Sequence, residues 1–76
     1  MPTLIQQRGF EIRIYTRDHE PAHVHCWKAK DELIVTLDSL EIRANTGMSK
    51  RDTVVALSIV AAHREMLLAA WNRIHP

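Results

Sequence analysis

Cys26 is the only cysteine among 76 residues. A single thiol excludes an intramolecular disulfide framework and a cysteine-rich zinc fold. No window comes near the ~18 consecutive apolar residues of a membrane span. The opening stretch, Met1 to Arg8, lacks the basic segment and long apolar run of a secretory leader. Net charge is almost absent too: ten Lys and Arg against nine Asp and Glu leave +1. No global field then draws in nucleic acid, and RNA binding would need a local patch. The Walker loop, the dinucleotide glycine motif and the nucleophile elbow are also missing. From these absences we expect a soluble cytoplasmic protein with no membrane partner.

What is present suits one small globular domain spanning residues 1–76. Hydrophobic residues make up 46% and charged residues 25%, ordinary for a packed core and too apolar for a disordered chain. Histidine is the unusual component, with five copies. Three of them fall within Asp18-His19-Glu20-Pro21-Ala22-His23-Val24-His25-Cys26-Trp27, spaced H-x3-H-x-H. Pro21, with a fixed φ and no donor, suits a turn or a strand start. Beyond it the alternation is that of a strand, in which residues two apart share a face about 6.5–7 Å apart. His23, His25 and Trp27 are therefore expected in one row.

The rest of the chain reads as a meander and a helix. Phe10, Ile12 and Ile14 alternate with Glu11, Arg13 and Tyr15, as in a half-buried antiparallel strand. A second strand, about 22–28, turns Ala22, Val24 and Cys26 inward. Leu33, Val35 and Leu37 mark a third strand, and Leu40 to Arg43 a short fourth. Thr3 to Ile5 can add an edge segment. Ser49-Lys50-Arg51-Asp52 fits the S-x-x-D pattern of a helix start. From there to about Ile74 neither Gly nor Pro intervenes, which predicts one long helix of roughly 36 Å. The predicted fold class is α+β, a three- to four-stranded antiparallel meander with one long C-terminal helix packed on it.

Projected at 100° per residue, that helix carries two apolar stripes. Leu57, Val60, Leu67, Leu68 and Trp71 lie on one; Val55, Ile59, Met66 and Ala70 lie on the other. One sheet covers one stripe, so a homodimer or a cognate partner protein is expected to meet the 50–74 helix. Arg64 projects into the first stripe, where it can snorkel, stack on Trp71, pair with a carboxylate from the sheet or bind substrate.

Pairing the first two strands would set Glu11, Arg13 and Tyr15 beside His23, His25 and Trp27, with Cβ atoms ~5 Å apart. Three readings suit that face. It can be a solvated sheet surface and nothing more. It can be a metal site for zinc or another transition ion, held by His23 and His25 with Asp18 or His19 from the preceding turn. Or it can cleave phosphodiesters without any cofactor. His23 or His25 and Tyr15 would then divide the proton transfers, Arg13 would offset phosphorane charge, and Trp27 would stack a base.

Met1-Pro2-Thr3, the Gly9-to-Tyr15 strand, Asp18-His19-x-Pro21-x-His23-x-His25, and a late helix with His63-Arg64 and Leu67-x3-Trp71 resemble the small prokaryotic family named domain of unknown function 4160. Ala22 stands where that family usually has a second proline, and Val24 where it usually has phenylalanine. The resemblance implies a role in a toxin–antitoxin-like gene pair, because such chains are often encoded beside a small protein of another uncharacterised family, domain of unknown function 2442. It implies a cognate partner and, by analogy with other such modules, RNA as a target. The function expected is thus a histidine-dependent RNase toxin. The alternative is a non-enzymatic binding module, antitoxin-like or an adaptor, whose histidines are structural or metal-binding.

Overall fold

The computed structural model describes residues 3–76; Met1 and Pro2, part of the opening that carries the resemblance, lie outside the described residues. Five strands run in chain order through one antiparallel sheet: β1 Thr3–Gln7, β2 Phe10–Arg13, β3 His23–Lys28, β4 Asp31–Thr36 and β5 Ile42–Asn45. Two helices follow, α1 Lys50–Ala62 and α2 Arg64–Ile74.

Local chemistry accounts for the meander. Arg8 and Gly9 both take positive φ, 56° and 84°, the backbone that closes a two-residue hairpin between strands of right-handed twist. That turn makes the residue 3–5 segment a full strand, since β1 pairs with β2 from Thr3↔Arg13 to Gln7↔Phe10. The sheet therefore has five strands where the sequence predicted three or four. In the two-residue turn from β3 to β4 the positive φ, 52°, falls on Ala29.

The alternating apolar residues bury as their periodicity predicts. Phe10, Ile12, Ile14, Val24, Cys26, Leu33, Val35 and Leu37 are all at most 1% exposed. They face Ala56, Ile59 and Val60 of α1 and Leu67, Ala70 and Trp71 of α2, which complete the core. Ser49 caps α1, its Oγ accepting the Asp52 amide at 3.1 Å.

The single long helix is corrected to two, inclined at 74° across His63. With no Gly or Pro there, the break is imposed by tertiary contacts. Arg64 Nε donates to the Leu37 carbonyl at 2.7 Å and its Nη2 to the Asp38 carbonyl, tying the start of α2 to the β4–β5 turn. His63 closes α1 with its own Nδ1 on the Ile59 carbonyl at 2.9 Å. The bend lets both stripes reach one core: Val60, Leu67 and Trp71 of the first are buried, and so are Ile59 and Ala70 of the second. Among the described residues no single helix is long and apolar enough to cross a membrane.

Candidate metal centre on the open sheet face

β3 is the middle strand, and its register brings the two predicted rows together. Arg13 lies opposite His25 and Glu11 opposite Trp27 on β2; on β4, His23 faces Thr36, His25 faces Ile34 and Trp27 faces Glu32. These side chains share the sheet face opposite the helices, because they alternate with the core set of β2, β3 and β4.

That face is not wet at the histidines. His23 is 7% exposed and His25 8%, against the solvated surface that a polar row first suggests. Three things cover them. The β2–β3 loop folds back over β3, where Asp18 donates its amide to the Tyr15 carbonyl and accepts the Tyr15 amide on Oδ2, both at 3.1 Å. The Tyr15 ring lies 4.4 Å from that of His25. The end of α2 closes the loop side, with the Trp71 ring 5.3 Å from His23 and its Nε1 donating to Glu20 at 3.1 Å. His75 stacks on Trp71 at 4.0 Å, and its ring bridges the Trp71 and Tyr15 carbonyls at 3.0 Å each.

Within this enclosure the histidines are held by their Nδ1 atoms. His23 Nδ1 lies 2.9 Å from the Pro21 carbonyl, an acceptor only, so Nδ1 carries the proton. His25 Nδ1 lies 2.7 Å from Glu32 Oε2. Both Nε2 atoms then face Asp18: His25 Nε2 at 3.1 and 3.2 Å from its two oxygens, His23 Nε2 at 3.5 Å from Oδ1. One donor atom from each of Asp18, His23 and His25 lies within 4.8 Å of the others.

The remaining predicted residues surround this cluster or stand apart from it. His19 is exposed and outside the three-residue cluster. Arg13 is engaged by Glu11, whose carboxylate, with Tyr15 after it, raises the guanidinium above its ordinary range. The Tyr15 hydroxyl accepts Trp27 Nε1 at 3.1 Å. Arg64 is spent on the two carbonyls of the β4–β5 turn and lines neither recess beside the cluster. One recess, about 270 Å³, is bordered by Glu11, Arg13 and Trp27. The other, about 360 Å³, is bordered by His19, Glu20, His23, Ile34 and Arg43.

Two members escaped sequence reasoning. Glu32 holds His25 diagonally, two residues from its β-partner Ile34, and only the β3–β4 register reveals that. Arg43 enters from β5, whose four residues are all exposed and whose sequence carries no chemical signature. Cys26, on the opposite side of β3, is fully buried; burial, and then the charge of Glu32, push its thiol up to about 12. A thiol held that firmly protonated is core packing, not a nucleophile.

The fold and the cluster define a small α+β protein with two imidazoles and a carboxylate gathered beside an open sheet face. The chain matches the family described as domain of unknown function (DUF4160) over residues 9–72, and it belongs to that family. No curated protein and no solved structure matches it.

Proposed function

We propose that this protein is the effector of a cytoplasmic two-protein, toxin–antitoxin-like module and that it cleaves RNA phosphodiesters at the Asp18–His23–His25 cluster. The observation that carries this reading is the position of the cluster along β3. It sits between two recesses, one offering Arg13 and Trp27 and the other His19 and Arg43. An extended anionic strand laid along that row would meet an aromatic face, the three converging groups and a cation in turn. The larger recess is at the low end of the roughly 300–1,000 Å³ usual for small-ligand sites. Activation of the attacking oxygen falls to the cluster, and Tyr15 and Arg13 flank it from β2 and the loop beyond. The partner protein is assigned to the outer surfaces of α1 and α2, where Val54 and Met66 remain exposed.

One observation favours the non-enzymatic alternative. His25 is held on both ring nitrogens, Arg13 is held by Glu11, and Tyr15 already receives Trp27. Groups so fully engaged also suit a structural network that rigidifies the loop.

Induced expression in a bacterial host separates the two. Under the first reading wild type arrests growth and the purified protein shortens a mixed RNA pool, while Asp18→Asn and the His23→Ala/His25→Ala double variant do neither. Asp18→Asn keeps size and shape, so its melting temperature shows whether fold or chemistry was lost. No arrest and no cleavage by well-folded wild type would leave the binding-module reading standing.

A further inference from the structure

We propose that Asp18, His23 and His25 form a metal centre for a divalent first-row transition ion, bound through the Asp18 carboxylate and both Nε2 atoms. The proposal rests on the reading of this cluster as the working site, but not on RNA as its substrate.

The tautomers carry the argument. A histidine that only packs can use either ring nitrogen; a ligating one holds one nitrogen with an acceptor and turns the other to the ion. His23 does this outright, and His25, set between two carboxylates, does it in the same sense when Glu32 takes its proton. His23 gives Nδ1 to the Pro21 carbonyl and His25 gives Nδ1 to Glu32, which leaves two Nε2 atoms turned to one carboxylate. The third ligand is oriented as well, since Asp18 accepts the Tyr15 amide. The pairing of Glu32 with His25 is the carboxylate–histidine arrangement that raises ligand basicity and fixes ring orientation around metals.

Distances discriminate further. A structural network would close with hydrogen bonds of about 2.7–3.2 Å. A proton on His25 Nε2 would meet Asp18 in that way at 3.1 Å, but His23 Nε2 stands 3.5 Å from Asp18 Oδ1, too long for one. Ligand atoms about 2.1 Å from a common ion are separated by about 3.0 Å in octahedral and about 3.4 Å in tetrahedral geometry. The two edges that meet at Asp18 Oδ1, 3.2 Å to His25 Nε2 and 3.5 Å to His23 Nε2, suit that spacing.

Charge agrees. Asp18 and Glu32 place two carboxylates against His25, with side chains only 14% and 18% exposed. A divalent ion offsets them, where bare carboxylates would repel an anionic substrate. Two imidazoles and one carboxylate without sulfur select zinc, iron, cobalt or nickel over calcium or magnesium. Three protein ligands leave positions for water or a substrate oxygen, the pattern of sites that do chemistry. A water on the ion would be acidified toward neutral pH and so supply a nucleophile.

The test uses the full chain, freed of metal by a chelator. Zn²⁺ titrated by calorimetry is expected to bind 1:1 and raise the melting temperature, and Co²⁺ to give visible d–d bands. Long-range nitrogen NMR of wild type should show His23 and His25 shifting at Nε2 with both Nδ1 atoms protonated, a readout that needs no variant to fold. Asp18→Asn should abolish binding, Glu32→Gln should weaken it about 10- to 100-fold, and His19→Ala should leave it unchanged. Absence of saturable binding by folded wild type overturns the proposal, as does binding that survives Asp18→Asn or vanishes in His19→Ala. Binding without RNA cleavage supports the metal centre and removes the nuclease; cleavage undiminished after chelation does the reverse.

Discussion

Asp18 and Glu32 reach the same imidazole from opposite sides, and only one of them could be found by reading along the chain. Asp18 stands five residues before His23 in a turn-forming run, and the period of two in β3 placed His23 and His25 on one face. Glu32 required the register of β3 against β4, which no local pattern encodes. The depth of the histidines was also illegible, because the groups that cover them, Trp71 and His75, arrive from the far end of the sequence. Cys26 was legible, since a small inward residue of a central strand has one place to go, and it yields a test of burial. With the thiol pushed from 9.0 up to about 12 in the fold, the unfolded chain loses this proton first as pH rises. The stability contributed is intact below pH 9 and lost toward pH 12, at up to ~1.4 kcal/mol per pH unit. Urea melts of wild type and Cys26→Ala should therefore converge between pH 9 and 12. Parallel pH profiles would place the thiol in contact with water.

At the scale of elements, the strands followed from alternation and the helix break did not. Residues 50–74 satisfy every local criterion for a continuous helix, and the bend is decided by Arg64 finding two carbonyls on the β4–β5 turn. Hydrophobic periodicity put Arg64 within an apolar stripe, but it carries no information about which backbone acceptors lie opposite. Arg64→Met keeps the aliphatic stem and deletes both bonds. It should lower stability by about 1.5 kcal/mol, the low end for hydrogen bonds with a charged donor, because Asp38 is exposed and its carbonyl can turn to water. Thermal melts of the variant check this, and an unchanged midpoint would assign the break to His63 alone. Ser49→Ala, by contrast, removes one cap and should cost about 1 kcal/mol without moving the bend.

For the whole molecule, the break changes what the helices offer a partner. A straight helix would have left a full apolar stripe uncovered; the bent pair buries residues of both stripes and leaves Val54 at 62% and Met66 at 42% exposure on separate helices. Scattered apolar residues of that kind are ordinary on a monomer. A partner that binds there should be displaced by Val54→Asp or Met66→Asp without loss of fold, as co-purification would show. The bend also aims α2 at the β2–β3 loop, and there the chain closes on itself: Trp71 donates to Glu20, and His75 spans Trp71 and Tyr15. These contacts join residues more than fifty positions apart, so they form only once sheet and helices have docked. The loop they hold carries Asp18. Removing the latch should loosen that loop while sparing the strands beyond it. In His75→Phe the ring stack can persist but the bridge to Tyr15 cannot. Amide exchange from Tyr15 to His23 should accelerate several-fold, whereas amides of β4 should keep their protection, because local opening draws on local contacts. Zn²⁺ affinity should fall with it, since a looser Asp18 must be ordered when the ion binds. Exchange that rose equally in β4 would make His75 a general stabiliser. Exchange that did not rise would leave Asp18 held by its own turn.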